Sequence, residues 1–174
     1  FMVDLRVEKL AQLLVAYSAD VKPGNKVVIE GSSIASPLLR EIYRQVLLAG
    51  AFPYVNMELS GLDYIFYQNA SPEQLEYIHV PALYVVENYD RFISILSEDN
   101  TRSLNGVDPE KMVIRQRAAE PLIKTYLSRA AKGEMKWSLS LYPTNAYAQD
   151  ADMSREEYED FVYSAILPDL NDPI

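Results

Sequence analysis

The sequence contains no cysteine and a single histidine, His79. Without cysteine, the chain has no disulfide framework, no thiolate nucleophile and no thiolate metal site, and a reducing, cytoplasmic setting is expected. A Ser-His-Asp arrangement would have to use His79, which stands beside the apolar residues Ile78, Val80 and Pro81. Because catalytic roles need a constellation of partners, we interpret His79 as a packed or capping residue.

Long apolar runs and an excess of positive charge are also missing. The longest apolar stretches, residues 10–17 and 80–86, are far shorter than the roughly 20 residues that a membrane-spanning helix needs. The N-terminus lacks the basic region and apolar core of a signal peptide. Sixteen basic and twenty-five acidic residues give a net charge of −9, which repels nucleic-acid backbones and anionic lipid. We therefore expect neither nucleic acid nor a membrane as a partner.

The composition is that of one globular domain. The chain has 174 residues, of which 49% are hydrophobic and 24% are charged. Phe1 stands before Met2, and we expect it to be foreign to the natural start. The last residues include Pro168 and Pro173 and no closing helix cap, so the chain is expected to stop in a connector inside a longer protein. We predict one α/β domain over residues 1–174.

Hydrophobic periodicity predicts strands that alternate with helices. The predicted strands are residues 26–30, 53–59, 91–96 and 136–142. The predicted helices are residues 4–18, 38–49, 61–77 with a break near 70–72, 108–132 and 154–166, while residues 81–88 are ambiguous. Pro121 is expected to kink or restart its helix. This alternation implies right-handed crossovers, and it predicts a three-layer α/β fold whose mostly parallel sheet has about four to five strands with helices on both faces.

The motifs that could carry chemistry are incomplete. No HExxH helix is present. The acidic residues 156–160 lie in the first turns of a predicted helix, where the helix dipole favours negative charge, so they are interpreted as a solvated face. Residues 31–33 follow the first strand, where doubly wound folds bind phosphate, but they lack the glycine pattern of such loops. We therefore assign no catalytic residue and no metal ligand.

Several segments of the chain resemble the front half of the aminopeptidase T and aminopeptidase S type of metalloaminopeptidases, the thermophilic metallopeptidase family. The segments are residues 4–11, 21–24, 37–41, 98–102, 106–112, 142–149 and 153–163. They occur in the family's order and cover nearly the whole chain. Each segment alone is weak, and their order makes the resemblance specific.

The resemblance implies a cytoplasmic exopeptidase that removes amino-terminal residues from peptides with two divalent metal ions, zinc or cobalt. Members of the family form homodimers, and their metal ligands belong to the C-terminal half. The chain is thus expected to be the N-terminal domain of a two-domain enzyme, with no catalytic residue and no bound metal of its own. Its expected partners are its own C-terminal catalytic domain and peptide substrates, and the isolated chain is expected to be inactive.

Two loops are candidates for the face turned toward that second domain. The first follows the third predicted strand and carries Glu98, Asn100, Thr101 and Arg102, and the second follows the fourth strand and carries Tyr142, Thr144 and Tyr147. Loops at the carboxyl ends of parallel strands are where an α/β domain presents functional groups. We predict that these residues shape substrate access or interdomain contacts. Alternatively, Asn100, Thr101 and Thr144 only cap turns and helices.

Two other functions stay open from the sequence. The chain could be a stand-alone α/β module that binds a small ligand or a protein without catalysis. It could also be an independent hydrolase built on carboxylates alone, which predicts metal-dependent turnover by the chain itself.

Overall fold

The central element of the fold is a four-stranded sheet in which every strand pair is parallel. The structure is a computed structural model that describes residues 4–167 and 169. Phe1 and most of the predicted C-terminal connector lie outside the described residues. The strands are β1 (Lys26–Ser32), β2 (Phe52–Glu58), β3 (Arg91–Leu96) and β4 (Lys136–Leu141), in the spatial order β2-β1-β3-β4. The predicted three-layer α/β fold with a parallel sheet is confirmed.

Eight α-helices connect and cover these strands within the described part of the chain. They are α1 (Leu5–Gln12), which continues as a π-helical segment at Leu13–Ser18, α2 (Ser36–Leu48), α3 (Leu62–Asn69), α4 (Pro72–Glu76), α5 (Val80–Asn88), α6 (Pro109–Ala131), α7 (Asn145–Asp150) and α8 (Arg155–Ile166). None of the helices in residues 4–167 is both long and apolar enough to span a bilayer.

Local signals explain where several helices begin. The Ser154 hydroxyl accepts the Glu157 N–H, and the Glu157 carboxylate accepts the Ser154 N–H, which forms a capping box at the start of α8. Ser71 and Gln74 make the same reciprocal pair at the start of α4. These pairs satisfy N–H groups that have no partner within the helix. The predicted break near residues 70–72 and the predicted helix start at residue 154 therefore agree with the structure.

One side of the sheet carries most of the buried core. Alternate strand residues, among them Val27, Ile29 and Ile93, point to this side and pack with α1, α2 and α8. We call it the α2 face. Its cluster contains nineteen buried residues among those described, including Leu10, Leu38 and Ile42 with no exposed surface. Apolar burial of this extent is the main source of the domain's stability.

The opposite side, which we call the α6 face, has a much smaller core. Val28, Phe92 and Met135 are its buried cluster among the described residues, and they pack against α5 and α6. Three cations of α6 donate to carbonyl oxygens at the ends of the shorter helices instead. They are Lys111 to Tyr67 at 2.6 Å, Arg115 to Tyr77 at 2.6 Å, and Arg129 to Tyr89 at 2.8 Å. Polar caps therefore fix α3, α4 and α5 to α6.

Pro121 does not restart its helix, so that part of the prediction is wrong. The helix α6 runs without interruption from Pro109 to Ala131. Proline removes the N–H that would bond to the carbonyl of Arg117. Arg117 lies on the exposed side of α6, where water can satisfy that carbonyl. Solvent exposure thus lowers the cost of the proline.

Candidate functional site

A cleft lies at the carboxyl ends of the strands, where the connections of the sheet leave toward opposite faces. The chain leaves β1 toward α2 on one face, and it leaves the neighbouring strand β3 toward α6 on the other face. Such a divergence opens a crevice at the carboxyl ends of parallel strands, and doubly wound folds bind ligands there. The cleft has a volume of about 500 Å³ and is lined by residues that end or follow β1, β2 and β3.

The floor of the cleft is a pair of serines that joins β1 to β3. The Ser32 hydroxyl donates to the Ser97 carbonyl oxygen at 2.6 Å, and the Ser97 hydroxyl accepts the Ser32 N–H at 3.2 Å. Ser97 is buried. Gly31 allows β1 and β3 to lie close together, because a β-carbon at this position would lie 3.1 Å from the Ile95 carbonyl oxygen. Hydrogen bonds therefore join the end of β1 to the residue that follows β3 at the floor of the cleft.

The walls of the cleft carry negative charge. Glu58 and Asp63 line it from the β2 side, and Glu98 and Asp99 line it from the β3 side, whereas no lysine or arginine is among its described lining residues. Partial burial raises the pKa of the Glu58 carboxyl, and the nearby carboxylates of Asp63 and Glu30 raise it further. The cleft is thus an environment that favours a cationic group over an anionic one.

The two loops predicted from the sequence meet beside this cleft. The Glu98 N–H donates to the Tyr147 hydroxyl at 3.2 Å, and the Thr101 hydroxyl donates to Asp150 at 2.6 Å. The Arg102 guanidinium lies 3.6 Å from the same Asp150 carboxylate, and its side chain is largely exposed. The loop after β3 is therefore hydrogen-bonded to α7, and these residues form one surface.

The other predicted residues have local structural partners. Thr144 is buried and caps α7 by accepting the Tyr147 N–H at 3.3 Å. The Asn100 side chain accepts the Arg102 N–H at 3.0 Å. Burial raises the pKa of the Tyr142 hydroxyl, which packs against the core of the α2 face. The capping alternative accounts for Thr144 and Asn100, and Tyr142 lies away from the lining of the cleft.

Glu58, Asp63 and Asp150 were not predicted as site residues from the sequence. Glu58 is the last residue of β2, and Asp63 stands in the first turn of α3. Both therefore lie at the same edge of the sheet as Glu98, because parallel strands end at one edge. The available signal was that Glu58 lies near the end of the predicted strand 53–59 and that Asp63 lies at the start of the predicted helix that follows it. Asp150 had no such signal, since α7 was not predicted as a helix.

Comparison with known proteins shows the family to which the chain belongs. The family model of the thermophilic metalloproteases, M29, matches residues 3–174. The chain therefore belongs to the thermophilic metalloprotease family, and the resemblance stated from its segments is confirmed.

Two relatives show how much of such a protein this chain represents. Aminopeptidase 2 of Geobacillus stearothermophilus is 29% identical over 178 residues, a match that covers 97% of this chain and 43% of the relative. The structure of wild-type AmpT from Thermus thermophilus is similar with a TM-score of 0.74 and 20% identity, and the match covers 92% of this chain and 42% of AmpT. The chain thus spans less than half the length of each relative.

The family's description implies a metal, and the described residues do not fit one. Within residues 4–167 and 169, no three histidine, aspartate or glutamate side chains are grouped to hold a metal ion. His79 is exposed, and its ring makes an edge contact with Tyr77 at 4.9 Å. A metal site in such enzymes needs three or more convergent ligands, so no chemical step through a metal is assigned to these residues.

Proposed function

We propose that this chain is the N-terminal, non-metal-binding domain of a metalloaminopeptidase that releases amino-terminal residues from peptides. The family match over residues 3–174 carries the proposal. In the complete enzyme, two divalent ions, zinc or cobalt, would supply the activated water from the remaining part of the chain. The proposal includes a homodimeric enzyme in the cytoplasm and an isolated chain without activity.

The role proposed for this domain is to limit which peptides reach the reacting centre. A metal-bound hydroxide cleaves any amide that reaches it, so walls around the centre decide the substrate. The surface formed by the loop after β3 and by α7 supports such a wall, because Thr101 and Tyr147 hydrogen-bond across it. In our proposal this surface faces the catalytic half.

The negative charge of the neighbouring cleft would favour peptides with a positively charged amino end. Glu58, Asp63, Glu98 and Asp99 would attract the ammonium group that every aminopeptidase substrate carries. The same carboxylates would repel peptides with acidic residues near their amino end. Salt would weaken both effects, since charges of this kind are screened within about 10 Å at 0.1 M ionic strength.

Arg102 provides the test of this role. In the complete enzyme, Arg102→Ala should change KM or the selectivity for peptide length, and it should leave the metal content unchanged. The loss of one exposed ion pair at 3.6 Å costs little stability. Kinetics are measured on a series of leucine peptides of increasing length, and metal content by atomic emission.

Lys124→Ala is the matched control, because it removes a cation that pairs with Glu120 on the exposed side of α6. Unchanged kinetics for Arg102→Ala across all peptide lengths would exclude the proposed role. An equal change in both variants would point to general electrostatics rather than to the loop.

A second function is favoured by one observation, the cleft of about 500 Å³ at the carboxyl ends of β1 and β3. This is the position at which α/β domains bind small ligands. A non-catalytic module that binds an amine there is the alternative. It predicts saturable binding of a small amine by the isolated chain, which NMR titration would detect at Ser32 and Ser97.

A further inference from the structure

An apolar patch lies at the β4 edge of the α6 face. Trp137, Leu139 and Leu141 alternate along β4 and therefore share one side of the sheet, and Leu141 pairs in register with Leu96 of β3. Trp137 is 53% exposed, Leu139 is 54% exposed and Leu96 is 44% exposed. These four residues are the β4 patch. Three large apolar side chains about half in water on one side of a sheet mark a contact surface.

The strand that carries the patch also has an open edge. β4 is the last strand of the sheet, so one side of its backbone has no neighbouring strand among the described residues. Natural proteins protect such edges with proline, charge or a covering segment. β4 reads KWSLSL, in which only Lys136, at its start, is charged. The edge therefore lacks the protection that an isolated domain would carry.

The opposite edge of the sheet is different. β2 contains Pro53, which cannot donate a backbone hydrogen bond. The Tyr54 ring of this strand packs against Tyr89 with ring centroids 5.8 Å apart. Glu58 places a charge at the end of the strand. Both edges carry exposed apolar side chains, among them Phe52 at 65% and Met57 at 48% on β2. The two edges differ in that a proline interrupts hydrogen bonding along β2, whereas β4 contains none.

We propose that the β4 patch and the β4 edge bind the rest of the polypeptide that the full-length enzymes of this family contain. The inference rests on the proposed function. A match that covers 43% of one relative and 42% of the other leaves more than half of each relative to occupy the surface. None of the four side chains is charged, although the chain carries a net charge of −9, so the patch is suited to permanent apolar burial.

The patch is continuous with the cleft. Leu96 belongs to the β4 patch and also lines the cleft at the ends of the strands. A segment seated on the patch therefore lies beside Glu98 and Asp99, which follow the same strand. This position would place the remaining polypeptide at the open side of the cleft, where the proposed access role requires it.

The absence of cysteine makes a direct test possible. Leu139→Cys introduces a unique thiol on the patch, and Leu48→Cys introduces one on the exposed side of α2, where Leu48 is 69% exposed. Each variant is made in this chain and in a full-length protein that contains this chain and is as long as the relatives. The rate of alkylation by N-ethylmaleimide is measured at each position by peptide mass spectrometry.

The expected result is rapid alkylation of both thiols in this chain. In the full-length protein, alkylation at Leu139→Cys should be slower by at least about tenfold, while the rate at Leu48→Cys stays the same. Equal rates at Leu139→Cys in both proteins would overturn the proposal. Protection that is already present in this chain and disappears on dilution would also overturn it, because the occupant would then be a second copy.

Hydrogen exchange on the unmodified proteins provides a second readout that needs no substitution. Amides of residues 136–141 should exchange more slowly in the full-length protein, whereas those of residues 52–58 should not change. Aminopeptidase activity is measured separately on the same full-length sample. Activity with an uncovered patch overturns this inference alone, and a covered patch without activity overturns the proposed function alone.

Discussion

The two faces of the sheet are built by different means. On the α2 face, three helices bury a continuous apolar cluster that includes Leu10, Leu38 and Ile42. On the α6 face the buried cluster is Val28, Phe92 and Met135 among the described residues, and cation caps from α6 position the shorter helices. The first arrangement depends on the removal of apolar surface from water, and the second depends on hydrogen bonds to charged groups.

The difference indicates which part of the domain can be completed by another segment. The α2 face is closed at its centre, where Val27, Ile29 and Ile93 have no exposed surface. On the α6 face, Trp137 and Leu139 are about half exposed. The helices α3 and α5, which lie on this face, contain no buried residue. We expect such a face to have lower local stability than the α2 face. Contact with a second domain would therefore stabilise it most.

Adjacent valines of β1 test the comparison most strongly. Val27 and Val28 have the same side chain and no exposed surface, and they point to opposite faces. Val27→Ala should lower the free energy of unfolding by about 2–3 kcal/mol, because the large cluster cannot collapse around the cavity. Val28→Ala should cost about 1–2 kcal/mol, because its surroundings can relax. Urea denaturation measures both values, and an equal or larger cost for Val28→Ala would break the comparison.

Arg129 tests the polar caps of the α6 face. Its guanidinium donates to the carbonyl oxygens of Val86 and Tyr89 at 2.7 and 2.8 Å, and its side chain is mostly buried. Arg129→Met keeps the apolar stem and leaves these carbonyls without their donor, so it should cost about 1–2 kcal/mol. Hydrogen exchange should also become faster in α5 but not in α2.

Arg117→Met is the control for this variant, because Arg117 lies on the exposed side of the same helix. It should change neither the unfolding free energy nor the exchange of α5. If the two variants behave alike, the caps do not hold the shorter helices, and apolar packing would have to account for the α6 face as well.

The smallest expected effect is a pH dependence that arises from Glu41. Its buried carboxylate accepts hydrogen bonds from Arg44 and Gln45. Burial alone would raise the pKa of Glu41, but the bonds from Arg44 and Gln45 outweigh it and hold the pKa below the usual 4.5. A lowered pKa in the folded state stabilises the fold above the unfolded-state pKa, and this contribution is lost as the pH falls through the folded-state pKa.

The stability advantage of the wild type over Glu41→Gln should therefore shrink between neutral pH and about pH 3. Urea denaturation across this range measures it. Glu156→Gln removes an exposed carboxylate and corrects for the loss of one charge. An advantage that stays constant with pH would mean that the charge of Glu41 does not contribute.

Local sequence signals predicted most of the fold. The helix caps at Ser71 and Ser154 and the β-branched run of β1 are short-range effects, so the strands and most helices follow from them. Residues 81–88 were ambiguous because α5 lies between other elements and its apolar residues show little periodicity. In the structure, His79 is exposed and occupies the N-cap position of this helix without a side-chain cap hydrogen bond, and Pro81 stands in the first turn.

The candidate site was predictable only in part. That the loops after β3 and β4 share one edge follows from parallel strand order. The hydrogen bonds of Tyr147 and Asp150 to the β3 loop depend on how α7 packs, which no local pattern encodes. The negative cleft also requires the loop after β2. This loop reaches the cleft because β1 pairs between β2 and β3, and such pairing is a long-range property that local sequence does not encode.

The central claim is that this domain supports chemistry that takes place in another part of the enzyme. The measurement that tests it most directly is hydrolysis of leucine p-nitroanilide with added Zn²⁺ or Co²⁺, comparing this chain with the protein of the relatives' full length. We predict metal-dependent turnover by the full-length protein and none by the 174-residue chain. Metal-dependent turnover by the chain itself, at a rate comparable to that of the full-length protein, would contradict the account.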